Sequence, residues 1–291
     1  MVTATRTATR LRPMTAADIP AARALSREQR WPHRTADWTF LVQHGKGLVA
    51  ERDGEVVGTT LTWEFGADAA ALGLVIVSPR LQGQGIGRRL MEAAMEPLGD
   101  RTIMLSATDE GLPLYRNMGF EKIGSVFQHQ GTPASVPPAE LRLNERVRPR
   151  GAKDAATIAA LDSRATGLDR NRIIAAISES ARGIILDRNN EAVGYSLLRR
   201  FGLGFLIGPT IAPDVEGAKV LIAHWLGLQA GSFCRIDVPE DSKLSGWLEE
   251  RGMPCVGRVT TMVRGKPIAR AKPAAGRPGP RPFSLILQAL G

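Results

Sequence analysis

Two cysteines, two tyrosines and four histidines are all that 291 residues carry of these types. Cys234 and Cys255 cannot build a disulfide framework, and both read as small buried hydrophobes. His33, His44, His129 and His224 lie far apart with no ligand spacing, so no metal site is expected. No apolar stretch approaches the roughly 18 residues a membrane helix needs. The start, MVTATRTATR, lacks the apolar centre of a secretory signal, so a cytoplasmic protein is expected. Acids are missing from two places, residues 1–12 and 264–291, which hold three and six basic residues and account for the whole net charge of +9. Between them the charge balances, and no basic face interleaved with aromatics occurs. Nucleic acid is therefore an unlikely partner.

The chain does contain itself twice. Leu11–Leu25 (LRPMTAADIPAARAL) lies over Val147–Leu161 (VRPRGAKDAATIAAL) at an offset of 136, and Gly47–Gly58 lies over Gly183–Gly194 at the same offset. Val77-Ser-Pro79 meets Ile211-Ala-Pro213, and Asn117–Phe120 meets Glu250–Met253, with small drifts of the kind loop deletions produce. A period near 135 is too long for a solenoid. The expected organisation is two copies of one domain, 1–140 and 141–265, joined at the Pro/Ala-rich Thr132–Glu140, followed by a Pro/Gly/Arg-rich arm, 266–291, with an apolar end.

Each copy reads as mixed α/β. A short β run ends at Pro13, and a helix carries Ile19, Ala22 and Leu25 at helical spacing. Two β runs flank Asp53-Gly54, a hairpin signal. Then come strand Leu72–Val77, helix Arg88–Met95, strand Thr102–Ala107, a short helix ending at Gly119, and a returning strand from Glu121. The informative constellation follows the strand ending at Val77. Gly83, Gly85 and Gly87 leave amides uncovered where a helix begins, and those amides together with the helix dipole favour a phosphate. A P-loop would need Gly-Lys-Ser/Thr where Gly-Arg-Arg stands. A dinucleotide fold would need GxGxxG after the first strand. A tight strand-to-helix turn with no ligand is the structural alternative.

Gln82-Gly-Gln-Gly85-Ile-Gly87 resembles the Q/R-x-x-G-x-G/A pyrophosphate motif of the GNAT acyltransferase superfamily. Val77-Ser-Pro79 matches the V-x-P before it, and Pro113–Phe120 matches the later LY…GF segment. The full-length pattern looks like bacterial tandem N-acetyltransferases whose C-terminal domain is a degenerate GNAT-like copy. The resemblance implies acetyl-CoA as co-substrate and a small-molecule amine as acceptor, with no metal. It places Val75, Ile76 and Val77 along the pantetheine and thioester. It places Gln82, Gly83, Gln84, Gly85, Ile86, Gly87 and Arg88 around the pyrophosphate, with Tyr115 as general acid toward the departing thiolate. A carboxylate often found on the splayed strand is missing from Ala70–Val77, which leaves Glu64 and Asp68 as the nearest candidates for a base. Trp31, Trp63 and, from the second copy, Asp237 are candidate acceptor contacts.

In the second copy, offset 134 sets Glu216, Lys219 and Leu221 into the phosphate motif, and offset 133 sets Leu248 opposite Tyr115. That copy is expected to bind no coenzyme. A non-catalytic acyl-CoA-binding sensor is the alternative to an enzyme.

Overall fold

The computed structural model describes residues 8–268 and 279–291. The first copy contains β1 (Arg10–Pro13), α1 (Ile19–Glu28), α2 (Thr35–His44), β2 (Lys46–Arg52), β3 (Glu55–Phe65), β4 (Ala69–Val77), α3 (Ile86–Met95), β5 (Thr102–Ala107), α4 (Leu112–Arg116) and β6 (Glu121–Gly131). The second repeats the order with β7 (Glu145–Pro149), α5 (Ala155–Thr166), α6 (Asn171–Ser180), β8 (Arg182–Arg188), β9 (Glu191–Phe201), β10 (Gly204–Ala212), α7 (Val215–Leu228), β11 (Cys234–Pro239), α8 (Ser245–Glu249) and β12 (Cys255–Arg264). A further strand, β13 (Arg281–Ser284), follows. Residues 269–278 of the 266–291 arm lie outside the described residues.

The repetition extends to side-chain detail. Arg12 holds Asp18 through two bonds of 2.8 and 2.9 Å, and Arg148 holds Asp154 through two of 2.8 Å. Each carboxylate also accepts a backbone N–H three residues earlier, from Thr15 or Gly151. The arginine bonds are the largest influence on both acids and draw each pKa down to about 2. Helix α2, absent from the sequence expectations, starts on a similar device: Asp37 accepts from the Arg34 N–H (2.8 Å).

The strands form one sheet in the order β1-β2-β3-β4-β5-β12-β6-β11-β10-β9-β8-β7, with β13 on β10. Each copy's last strand has crossed to the other copy. β12 pairs with β5 from Thr260↔Ala107 to Arg264↔Ile103, while β6 pairs with β11 from Val126↔Pro239 to Gly131↔Cys234. The two crossed strands also pair with each other. Each folded half is thus built from both stretches of sequence, and the joint near residue 140 links halves that already share strands. The largest core cluster reflects this, running from Trp38 and Leu61 to Ile174 and Tyr195. Cys234 is buried as expected, but Cys255 is exposed, at the start of β12, where that strand pairs with β6 and does not yet pair with β5. No helix among the described residues is long and apolar enough to cross a membrane.

Candidate active site

β4 makes the site by leaving its neighbour. It pairs with β5 in parallel only from Ala69↔Thr102 to Ala71↔Met104. From Leu72 onward the two strands diverge, and the edge of β4 facing β5 has no strand partner. A bulge drives the divergence. The β3–β4 register shifts between Thr59 and Leu61, and Leu74 takes φ 52°, a conformation a non-glycine residue adopts only when its surroundings hold it. Thr59 supplies that hold by donating its hydroxyl to Leu74 O (2.8 Å). Gly73 on the bulge has no room for a side chain, because Ala289 lies against it.

The opened edge lines a cavity of about 790 Å³ that continues to the start of α3. There Gly83 and Gly85 take φ 75° and 77°, the left-handed region glycine enters without strain, with open space where a Cβ would stand. The first amides of α3 have no intrahelical acceptor and face this opening, so the residues present fit a pyrophosphate. Gln82 donates to Val77 O (3.3 Å), tying the loop to the strand end. Val75, Ile76, Val77, Gln82, Gly83, Gly85, Ile86, Gly87 and Arg88 all line the cavity. Gln84 does not; it turns outward and accepts from Arg52 (3.2 Å).

Tyr115 lines the same cavity from α4, lying on Gly111 with its ring edge-on to Phe120. Burial pushes its phenol up to about 12, so it holds its proton throughout the working range. Trp31, in the turn after α1, also lines the cavity, beside His33. His33 is buried, with edge contacts to Trp31, Trp38 and Phe201, and its Nδ1 meets no hydrogen-bond partner. Burial first, and the positive charge of Arg235 second, hold its pKa down at about 4. Between pH 6.5 and 4 the unfolded chain therefore takes up a proton that the native chain refuses, so stability falls as pH drops through that window. Urea unfolding of a His33→Phe variant should show about 3 kcal/mol less loss than wild type between pH 7 and pH 4. Equal slopes would mean that His33 is protonated in place.

Four sequence candidates stand elsewhere. Glu64 sits near the end of β3 opposite Ala70, where β4 is still paired with β5 and not opened, and it bridges Lys46 and Arg101. Those partners, the Lys46 bond foremost, lower its pKa, so it is an ion-paired surface acid and not a base poised over the opened edge. Trp63 is core, 2% exposed, with Nε1 donating to Leu41 O (3.1 Å). Asp237 is fully buried behind the cavity wall, where it grips Arg235 and accepts from Gln288 (3.2 Å). Asp68, in the turn before β4, is also absent from the lining. Sequence reasoning missed Arg235, Gln128 and Leu287–Ala289, all of which line the cavity. Only the last had a signal, the apolar run after Phe283.

The second copy has the same divergence, already filled. β10 pairs with β11 only at Phe205↔Cys234 and Leu206↔Arg235. β13 enters the gap, pairing with β10 from Thr210↔Ser284 to Ala212↔Arg281, while Leu285 N–H donates to Asp237 O on β11 (2.9 Å). The chain's own backbone thus occupies the slot that stays open in the first copy. The glycine loop is missing as well. β10 ends at Ala212 and α7 begins at Val215, so Glu216, Lys219 and Leu221 lie inside the helix and not in a loop. Its N-terminus is closed by Asp214, which accepts from Gly217 N–H (2.8 Å). Among the described residues no cluster of three or more His, Cys, Asp or Glu could hold a metal.

Comparison with known proteins agrees with this architecture. An acetyltransferase (GNAT) domain profile matches residues 26–135, and a second profile of the same description matches residues 158–274. The uncharacterized N-acetyltransferase YitH of Bacillus subtilis is 30% identical over 228 residues, covering 76% of this chain and 79% of that protein. A putative acetyltransferase of Pyrococcus horikoshii superposes with a TM-score of 0.75 at 21% identity, covering 97% of this chain and 96% of that one. A tandem GNAT protein from the clavulanic acid biosynthesis pathway superposes with a TM-score of 0.63 at 15% identity, covering 92% and 100%. With two matching domains, a relative aligned over most of both chains and a bulged, diverging β4 that leads to a glycine-started helix, this chain belongs to the GNAT acetyltransferase family, with two such domains in tandem.

Proposed function

We propose that the first half is an acetyl-CoA-dependent N-acetyltransferase acting on a small-molecule amine, and that the second half binds no coenzyme. One observation carries this reading: of two diverging strand pairs, one opens to a cavity with a glycine-started helix and Tyr115, and the other is filled by β13. The free edge of β4 from Leu72 to Val77 offers amides and carbonyls that match the two amides of a pantetheine arm. The amides from Gly83 to Arg88 hold a pyrophosphate at the positive end of α3. Acetyl-CoA supplies the activated acyl group; the protein supplies position and one proton.

Tyr115 holds that proton at the cavity wall. A phenol at about 12 is a weak donor to a thiolate whose thiol has an ordinary pKa near 8.5, but the desolvation that raises the phenol also penalises a buried thiolate, so the two move together. No side chain among the described residues fills the role of base. Glu110 is the only acid among the described lining residues, at the Tyr115 end, and His33 is too weakly basic at about 4. The amine therefore enters as its free base or gives its proton to water, and kcat/KM should follow the acceptor's own ionisation.

Isothermal titration should find one acetyl-CoA per chain. Two equivalent sites would mean that β13 leaves its slot and would remove the basis for assigning the halves different roles. Thiol release over a panel of amines separates an enzyme from a non-catalytic acyl-CoA sensor, since the sensor would bind acetyl-CoA without releasing coenzyme A to any amine.

A further inference from the structure

One wall of the cavity is formed by β6 and β11 and carries Gln128, Gln130 and Arg235. β6 and β11 pair with Gln128 opposite Asp237 and Gln130 opposite Arg235, so these four side chains stand on one sheet face in two adjacent rows. Asp237 engages the Nε–Nη2 edge of Arg235 (2.9–3.2 Å) and accepts from Gln288 Nε2 (3.2 Å), which also donates to Gln128 Oε1 (3.1 Å). Two donors are left over. Arg235 Nη1 and Gln128 Nε2 have no partner among the described residues, although both side chains line the cavity.

The local charge has the same bias. Arg34 is paired with Asp37, and Arg235 with Asp237. Arg199 is buried and paired with no carboxylate; it donates instead to Gly208 O (2.9 Å) and Ile286 O (2.7 Å). Its guanidinium and that of Arg235 both lie about 6 Å from the Phe201 ring that packs against His33. Burial draws Arg199 down to about 10, which leaves it protonated at neutral pH. One uncompensated positive charge therefore stands behind Arg235, and no acid lines this end of the cavity. A cationic acceptor tail would be repelled here, an apolar one would leave the donors unmet, and an anionic one is held more strongly than a neutral acceptor.

We infer that the acceptor is an amine that also carries a carboxylate, the carboxylate being taken by Arg235 Nη1 and Gln128 Nε2; the inference rests on the acetyltransferase reading above. Both side chains line one cavity, and a carboxylate has acceptor sites for both donors. The wall is a joint product of the two copies, since β6 comes from the first and β11 from the second.

The test is thiol release with glycine, β-alanine, 4-aminobutyrate, 6-aminohexanoate and L-phenylalanine, each against its own amide. Amidation lowers an α-amine's pKa and so raises its free-base fraction, which works against the expected result. The best carboxylate should still exceed its amide by about tenfold or more in kcat/KM, the size of one charge-assisted hydrogen bond. Arg235→Gln should remove that ratio while leaving acetyl-CoA affinity unchanged, and Arg235→Lys should keep part of it. Amides matching or exceeding every carboxylate in wild type would overturn the inference without touching acetyl transfer, and that comparison needs no variant to fold. If no amine releases thiol, titrating 6-aminohexanoate and its amide into the coenzyme A-saturated protein decides the point. Binding of the carboxylate alone upholds the site; binding of neither or of both alike ends it.

Discussion

Tyr115→Phe should lower kcat by about 10²–10⁴-fold, the range general acid catalysis usually contributes, with the acetyl-CoA dissociation constant nearly unchanged. The substitution removes one oxygen and keeps the ring, so the contacts with Gly111 and Phe120 persist. Since the phenol stands at about 12, wild type should show no alkaline fall in kcat below about pH 10 from this group. A second variant tests position separately from chemistry. An added Cβ at Gly111 would stand 2.7 Å from the Tyr115 ring, so Gly111→Ala must push the ring aside. It should lower kcat although the phenol group itself is retained. A loss of less than about threefold in Tyr115→Phe would mean that the departing sulfur takes its proton from water, and that Tyr115 only shapes the wall.

The parts of this site that were legible in the sequence share one property: local chemistry at fixed spacing. A phosphate-holding turn must put glycines where the backbone bends and where amides must stay bare, so Gly83 and Gly85 announce themselves. Tyr115 was singled out by the resemblance, through the LY…GF segment, and the structure puts it in the cavity lining from a short helix followed by Gly119. The duplication was plain because Arg12–Asp18 and Arg148–Asp154 recur at one offset. What stayed hidden is non-local. Exchange of β6 and β12 changes which strands pair without changing any strand's own pattern, so no periodicity could reveal it. Helix α2 begins after Pro32 on an Arg34–Asp37 contact and not on a small polar cap, and its apolar residues fall on more than one face. β13 follows a Pro- and Arg-rich stretch that reads as an arm, and only the gap beside β10 makes a strand of it. Arg235 and Gln128 become neighbours by that same β6–β11 pairing, and a lone Arg in a β run carries no mark of a ligand.

Asp162→Asn should cost about 3–5 kcal/mol of folding stability, the size expected when one partner of a buried ion pair is lost and the other stays charged. Asp162 and Arg170 are both almost fully buried, joined by bonds of 2.8 and 3.0 Å. Tyr195 donates its hydroxyl to the same carboxylate (2.6 Å), and burial, with the Asp162 charge, holds that phenol well above its ordinary pKa. Asparagine keeps the shape but withdraws the charge that Arg170 needs in a place water does not reach. The effect should extend to the active site, because Arg170 Nη1 also donates to Gly291 O, and Gly291 ends the segment that carries Leu287, Gln288 and Ala289 into the cavity wall. Two readouts should therefore move together: the urea midpoint falls, and limited proteolysis reaches residues 285–291 at lower protease concentration than in wild type. The double variant Asp162→Leu/Arg170→Met removes both charges at once and should recover much of the global stability. It should not recover protection of the segment, since methionine cannot donate to Gly291 O. Recovery of both together would show that apolar packing of Ile286, Leu287 and Leu290 holds the segment without Arg170. A loss below about 1 kcal/mol in Asp162→Asn would mean that Arg170 finds another acceptor or is solvated in the native fold.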